Sequence, residues 1–303
     1  MRLFGQAAAL LALSFLPLSG LFTTPLCSAE PGGHDAIPWG AMYAPLDAMK
    51  MLGMTGTFGY YRGARGVRQL LADLETARSS GIKLVVTLGD VRPSAYADQR
   101  GNIDMTKVKN ELNPFVVAAE QLTPFIESGT MWGIRFMDEP HDPNGLPRGV
   151  TIDKGDLGIV MAYLKQALGK VRVGSTSPAR YMVDVPNADW CFGQYCHRTA
   201  GRRGIEPIPY IREDAALAKR NGMSYIASLN ASTNPVGNKD FFEVFKALAA
   251  LPEVDFLTSW QWPQGDYPNS FEKRLADPAV KDLVEEVPRA CVRERRQGTR
   301  SVR

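Results

Sequence analysis

The stretch TMWGIRFMDEPHD, residues 130–142, decides how the chain is expected to fold. Its first half is an apolar run too short for an ordinary helix, and it passes directly into Asp138 and Glu139. Pro140 has no N–H group to give a sheet, so the strand ends there. Two carboxyl groups therefore follow a strand at the end where parallel α/β sheets carry their chemistry. This pair is the candidate active site, and the alternative is that the acids cap the next segment.

Short apolar strands alternate with helical segments about eight times along the chain. Besides the acidic fourth strand, the predicted strands are 37–43, 56–61, 82–88, 171–175, 189–195, 224–229 and 254–260. The predicted helices are 66–79, 106–127, 153–168, 178–185, 208–221, 239–251 and segments within 271–287. Eight such units in about 255 residues predict an α/β fold, a single (β/α)8 TIM barrel. Near-continuous apolar strands agree with a parallel sheet that is buried on both faces.

A doubly wound open sheet is the competing architecture. Such a sheet normally carries a glycine-rich phosphate loop after its first strand, whereas this chain continues with APLDAMKM at residues 44–51. Neither GxGxxG nor GxxxxGK[ST] occurs in a suitable place. We therefore expect no nucleotide cofactor.

The first 29 residues have the pattern of an export signal. Arg2 provides the positive start, residues 7–16 form an uncharged apolar core, and Pro17 closes it. Small residues at 27 and 29 suit cleavage before Glu30, and a lipid-modified Cys27 is the alternative. We expect a secreted or periplasmic protein with its barrel over residues 30–288. No other apolar stretch is long enough to span a membrane.

Charge and cysteine content give few further constraints. Without Arg2 the formal charge falls from +3 to +2, and residues 289–303 hold six Arg against one Glu. We interpret this end as a basic, disordered tail, and no basic and aromatic pattern indicates nucleic-acid binding. Three cysteines remain after cleavage, and Cys196 with Cys291 is the preferred disulfide pair.

The carboxyl ends of barrel strands open onto one face, so the residues there form a set. Aromatic, amide and acidic side chains dominate that set, and this mixture suits sugars, which stack on aromatic rings and bond through their hydroxyls. Its members are Tyr43, Tyr60, Tyr61, Arg62, Asp90, Arg92, Asp138, Glu139, Ser175, Gln194, Tyr195, Asn230, Trp260, Gln261 and Trp262. Asp266 and Tyr267 follow in the next loop and could reach the rim.

The ending FMDEP of strand four resembles the NEP-type motif of the retaining (β/α)8-barrel glycoside hydrolase superfamily. In that superfamily the Glu of the motif is the general acid/base, and its neighbour bonds the 2-hydroxyl of the sugar. The resemblance implies these roles for Glu139 and Asp138. The Trp at the end of strand eight, here Trp260 or Trp262, is similar to the sugar platform of those enzymes.

The sequence departs from that superfamily at strand seven. Where the nucleophilic Glu belongs, the chain reads SLNAS and places Asn230, and an amide cannot form the glycosyl ester. Asp90 or Asp138 could instead activate water in an inverting reaction, or Asn230 could orient a substrate acetamido group, or the barrel could bind glycan without cleaving it. Adjacent strand residues point to opposite faces, so Asp138 and Glu139 reach inward together only if the strand breaks at Pro140. Asp90 is therefore the preferred base.

We predict a carbohydrate-active barrel, a glycoside hydrolase with Glu139 as proton donor and Asp90 or Asp138 in support. The expected glycan contacts are Tyr60, Arg62, Gln194, Tyr195, Asn230, Trp260 and Trp262. A non-catalytic glycan-binding barrel and a polysaccharide lyase with Tyr195 as base are the alternatives. The expected partner is a polysaccharide or oligosaccharide, and we expect a monomer.

The DEPHD cluster offers oxygen ligands, but ligands so close in sequence rarely converge on one ion, so we expect no metal.

Overall fold

Eight parallel strands form the central sheet of the protein. The computed structural model describes residues 35–146, 149–260, 262 and 269–293. The strands are β1 (Trp39–Ala41), β2 (Gly56–Tyr61), β3 (Lys83–Leu88), β4 (Met131–Asp138), β5 (Val173–Thr176), β6 (Trp190–Tyr195), β7 (Ser224–Asn230) and β8 (Phe256–Trp260). Sequential strands are neighbours from β2 to β8, and β8 pairs with β1. The predicted (β/α)8 barrel is confirmed.

The barrel closes at a seam between β1 and β2. These two strands share no regular ladder, but the Thr55 N–H donates to the Trp39 carbonyl at 2.9 Å. The Thr57 hydroxyl donates to the Ala41 carbonyl at 2.7 Å. The strands approach so closely that a methyl group on Gly40 would overlap the carbonyl oxygen of Gly56. Closure of the barrel therefore depends on a glycine at position 40.

Helices connect the strands and cover the outside of the barrel. They are α1 (Leu46–Met51), α2 (Gly63–Ser79), α3 (Pro93–Tyr96), α4 (Met105–Val117), α5 (Ala119–Glu127), α6 (Lys154–Leu168), α7 (Ala179–Met182), α8 (Pro207–Arg220), α9 (Asn238–Ala249), α10 (Phe271–Leu275) and α11 (Lys281–Cys291). Short 3-10 helices cover Gly201–Arg203 and Pro278–Val280. The helix predicted over 106–127 is divided at Ala118, while its two prolines lie inside α4 and α5. No helix in the described ranges is long and apolar enough to cross a lipid bilayer.

Two separate clusters of buried side chains form the core. The larger cluster lies between the strands and the helices. The smaller one fills the barrel interior, as layers of inward side chains do in this fold, and it consists of Met42, Phe58, Val85, Trp132, Trp190, Phe192, Ile226 and Phe256. Membership of either cluster shows on which face of the sheet a strand residue lies.

The two ends of the described chain meet below the barrel. Asp35–Ala36 pairs antiparallel with Val292–Arg293, and the Ile37 N–H donates to the Cys291 carbonyl at 3.0 Å. Helix α11 thus continues three residues into the segment predicted as a tail, because its carboxyl end packs beside the start of β1. Residues 294–303 and the predicted signal lie outside the described residues.

The preferred disulfide pair is wrong, because Cys196 and Cys291 are not bonded to each other. Cys196 follows the carboxyl end of β6, where its sulfur lies 3.3 Å from the Thr233 hydroxyl. Cys291 lies beside the amino end of β1. The two thiols are therefore at opposite ends of the barrel, a separation that spacing along the sequence does not reveal.

The seam generates a stability prediction. Gly40→Ala should lower the free energy of unfolding by about 1–3 kcal/mol, because the added methyl must push β1 away from β2. The control is Gly237→Ala, whose methyl would meet only an Asp240 oxygen at 3.8 Å. Urea unfolding measures both, and equal stability of the two variants would contradict the proposed closure.

Candidate active site

Strand β4 leaves regular geometry just before its acidic end. In its ladder with β5, Arg135 lies opposite Gly174 and Asp138 lies opposite Thr176. Between these two pairs, β4 contains one residue more than β5. This is a β-bulge, which re-aims the side chains that follow it. Met137 has φ of +64° and Glu139 has φ of +47°. Positive φ is unfavourable for residues other than glycine, so the strand end is held in a strained conformation.

The bulge brings both acids to the mouth of the barrel. The Thr176 hydroxyl donates to Asp138 Oδ1, and the Glu139 N–H donates to the same hydroxyl at 3.3 Å. The two carboxyl groups are close enough for the charge of Asp138 to raise the pKa of Glu139. The expectation that only a break at Pro140 would allow this is wrong, because the chain departs from a regular strand already at Met137.

Arg135 supports the acids from inside the barrel. Its side chain is fully buried, with Nε donating to Thr87 Oγ1 at 2.7 Å and Nη2 to the Tyr43 hydroxyl at 2.6 Å. Nη1 forms an ion pair with Asp138 Oδ1 at 3.5 Å. The guanidinium also lies 5.6 Å from the centre of the Phe58 ring. A charge this deep needs partners on every side, and these contacts provide them.

Sequence reasoning missed Arg135, although a signal was present. Arg135 is the one charged residue in the run MWGIRFM, and charged side chains are almost never fully buried unless they are paired. An arginine within an otherwise apolar strand therefore indicates a buried partner. Asp138, three residues later, is that partner.

Glu139 has the electrostatics of a general acid. The residue as a whole is exposed at the mouth, yet surrounding protein removes part of the hydration of its carboxyl group. This desolvation, together with the negative charges of Asp138 and Asp142, raises the pKa of Glu139 to about 7. The carboxyl is thus able to hold a proton near neutral pH and to release it there.

Asp90 has the opposite environment. Hydrogen bonds from Arg92, at 3.0 Å and 2.7 Å from the side chain and 2.9 Å from the backbone N–H, lower the pKa of Asp90 to about 2. Arg62 adds an ion pair at 3.2 Å and also contacts Glu111. The Val91 carbonyl accepts the Asp138 N–H at 2.8 Å, so this loop lies against the end of β4. A carboxylate held this way is a weak base.

The polar and aromatic residues of the mouth come from four strands. Gln194, Asn230 and Trp260 lie on the same face as the interior cluster members of their own strands, and Trp260 packs against that cluster. Its ring meets the Tyr43 ring edge to face with centroids 6.0 Å apart. Tyr60, at the end of β2, is 43% exposed. These side chains lie at the same end of the parallel barrel as the acids of β4.

Two predicted glycan contacts are not at the mouth. Tyr195 belongs to the larger core cluster, between the strands and the helices. There its hydroxyl donates to the Ile205 carbonyl at 2.8 Å and its ring packs against the Tyr210 ring. Its neighbour Gln194 faces inward, so Tyr195 must face outward. This placement also removes the base of the lyase alternative. Trp262 is 8% exposed and packs in the same larger cluster. Strand β8 ends at Trp260, so Trp260 and Trp262 do not lie on one face of a strand.

The remaining predicted positions have other surroundings. His141 Nδ1 lies 2.8 Å from the buried Ser177 hydroxyl, and desolvation lowers the pKa of His141. Within the described ranges, no group of three or more His, Cys, Asp or Glu is arranged to share a metal ion. Gln261, Asp266 and Tyr267 lie outside the described residues.

Comparison with solved structures gives the context of this geometry. An endo-1,4-β-mannanase from Rhizomucor miehei aligns with 84% of this chain and 95% of its own, at a TM-score of 0.60 and 10% identity. The feature that the two proteins share is the (β/α)8 barrel fold. A family 39 glycoside hydrolase from Bacteroides cellulosilyticus aligns with 83% of this chain and 64% of its own, at a TM-score of 0.58 and 13% identity. A glucosidase from Croceicoccus marinus aligns with 86% of this chain and 69% of its own, at a TM-score of 0.57 and 12% identity.

The sequence itself adds no closer relative. No family model matches the chain, and no curated protein matches it significantly. At these identities the structural likeness concerns the fold, and the chemistry of the site depends on the residues of this chain.

Replacing Arg135 tests whether its side chain stabilises the end of β4. Arg135→Met should lower the free energy of unfolding by about 1–3 kcal/mol, because the Thr87 and Tyr43 hydroxyls lose their buried donor and Asp138 loses its ion pair. Arg172→Met is the matched control: that guanidinium is exposed and lies 5.0 Å from the centre of the Trp132 ring. Its loss should cost under about 1 kcal/mol. Denaturant unfolding measures both, and similar values would show that Arg135 does not anchor the strand end.

Proposed function

We propose that this protein is an exported glycoside hydrolase that acts on a polysaccharide or oligosaccharide, with Glu139 as its general acid/base. The observation that carries the proposal is the position of Glu139 at the carboxyl end of β4, where desolvation and the charges of Asp138 and Asp142 raise the pKa of its carboxyl group to about 7. An acid poised near the working pH is suited to protonate the oxygen of a leaving sugar. The fold shared with a mannanase and a glucosidase supports this class of reaction.

The other residues of the mouth are assigned to substrate binding. Trp260 offers a ring face or edge for a pyranose to pack against, and Tyr60, Arg62, Gln194 and Asn230 offer hydrogen bonds to hydroxyls. Asp138 stands beside the acid as a contact to the reacting sugar. The ion pairs around Asp90 favour a positioning role, in which its charge holds Arg62 and Arg92 at the rim.

One observation favours a second function. Among the described residues, the end of β7 offers the amide of Asn230 and no carboxylate, so the usual glycosyl-enzyme intermediate has no partner there. A barrel that binds glycan without cleaving it would have no need of that carboxylate. Binding in the absence of any reducing-end release, and unchanged in Glu139→Gln, would support this function.

Hydrolysis should depend on Glu139 and on its proton. On a panel of glycans, Glu139→Gln should lower the rate of reducing-end release by about 10²–10⁴-fold, the usual effect of general acid catalysis. The wild-type rate should fall as the pH rises through about 7, because the protonated form of Glu139 is lost there.

The control for this experiment is Glu75→Gln. Glu75 is an exposed residue of α2 that pairs with Arg78, and its replacement should leave the rate unchanged. A Glu139→Gln variant as active as the wild type would contradict the assignment of the acid.

A further inference from the structure

Few carboxylates accompany Glu139 in the part of the mouth that the structure describes. The strand ends there carry, besides the acid pair of β4, the hydroxyl, amide and aromatic side chains of Tyr43, Tyr60, Thr176, Gln194, Asn230 and Trp260. Asp142, in the loop after β4, accepts two hydrogen bonds from Asn144 through Oδ1, and both oxygens of Asp90 accept bonds from arginines. Among these described residues, Asp138 is the acid directly beside Glu139 in the chain.

Asp138 is anchored through one oxygen only. Its Oδ1 accepts the Thr176 hydroxyl and faces Arg135 Nη1 at 3.5 Å. Within the described residues Oδ2 has no such contact, and the side chain is 36% exposed. A carboxylate fixed in this way presents its second oxygen to the mouth as a hydrogen-bond acceptor. It is arranged to receive an N–H or O–H group from a ligand that lies against Glu139.

Asn230 presents the complementary group. Its Oδ1 accepts the Thr233 N–H at 3.1 Å, which fixes the orientation of the amide. Only 6% of the residue is exposed, and in the described part of the chain its NH₂ group has no acceptor. That NH₂ group is a donor suited to a carbonyl oxygen. One mouth thus holds an acceptor for N–H, a donor for C=O and an acid.

We propose that the substrate is a glycoside of a 2-acetamido sugar and that its acetamido oxygen acts as the nucleophile. The inference rests on the proposed function and names its substrate class. The acetamido N–H would bond to Asp138, and Glu139 would protonate the glycosidic oxygen. Substrate assistance of this kind is one of the recognised exceptions to the two-carboxylate mechanism.

The proposed reaction needs only the substrate, water and the two acids, and each bond that forms is matched by one that breaks. The acetamido oxygen forms a bond to the anomeric carbon while the bond from that carbon to the glycosidic oxygen breaks, and the proton of Glu139 passes to the leaving oxygen. The resulting oxazolinium ion is stabilised by the negative charge of Asp138. Water then adds to the anomeric carbon and gives a proton to Glu139, and the ring opens to restore the acetamido group with retained configuration.

An inverting reaction fits the described residues less well. Inversion needs a base about 6.5–9.5 Å from the acid, on the opposite side of the sugar. Asp138 is the immediate neighbour of Glu139, and its charge acts on the Glu139 carboxyl group, so the two acids are close together and not on opposite sides of a sugar. Asp90 has its basicity lowered by two arginines.

The test compares nitrophenyl glycosides that differ only at carbon 2. Wild-type enzyme should cleave 1,2-trans 2-acetamido glycosides at least 100-fold faster than the matching 2-hydroxy glycosides. Replacing the acetyl group by mono-, di- and trifluoroacetyl should lower the rate step by step, because fluorine weakens the amide oxygen as a nucleophile. This series uses the unmodified protein and does not depend on any variant folding.

Variants then identify the residue that holds the acetamido group. Asp138→Asn should lower the rate on the 2-acetamido glycoside by about 100-fold or more, since the amide cannot stabilise the oxazolinium charge. Asp142→Asn is the matched control, because Asp142 also raises the pKa of Glu139. It should shift the pH profile while the preference for acetamido over hydroxyl stays.

Two results would overturn the inference, and they are distinguishable. Cleavage of 2-hydroxy glycosides at an equal rate, with no effect of fluorine on acyl substrates, would refute it and leave the hydrolase proposal standing. No cleavage of either set, with glycan binding seen by calorimetry, would refute the hydrolase proposal and the inference with it.

Discussion

The contact between a buried arginine and an aspartate at the rim is the constraint on which the rest of the site depends. Arg135 lies on β4 inside the barrel and directs three nitrogens to Thr87, Tyr43 and Asp138. Apolar and aromatic side chains fill most of the interior around it, so the guanidinium has to keep these partners. Through them it links three strand ends, and it fixes where the chain turns out of the sheet.

The strained end of β4 follows from that anchorage. A bulge after Arg135 and two residues with positive φ place Asp138 and Glu139 side by side, where a regular strand would send them to opposite faces. Tyr43, which receives a hydrogen bond from Arg135, also has a positive φ of 63°. Strain of this kind costs free energy and persists where the surrounding structure enforces it. Its result here is a pair of acids with unlike surroundings, one anchored by hydrogen bonds and one poorly hydrated.

The sequence predicted the scaffold well because strands and helices depend on local patterns. Apolar runs that alternate with helical segments predicted the eight strands to within a few residues. The parallel topology then placed Asp90, Glu139, Asn230 and Trp260 at one end of the barrel. The bulge could not be predicted, because it is set by register with β5 and by contacts of Arg135 with distant residues. Tyr195 lies on a regular stretch of β6 next to the inward-facing Gln194, so strand alternation alone predicts that it faces outward. Trp262 lies two residues beyond the end of β8 at Trp260, where strand alternation no longer applies.

Asp138 and Glu139 form one electrostatic unit at the end of β4. Carbon-13 NMR of the glutamate carboxyl groups, recorded against pH, tests it most directly. If the two carboxyl groups interact, one resonance has a midpoint near 7, is absent from Glu139→Gln and moves to lower pH in Asp138→Asn. A Glu139 midpoint near the ordinary value of about 4.3, unchanged by Asp138→Asn, would contradict it.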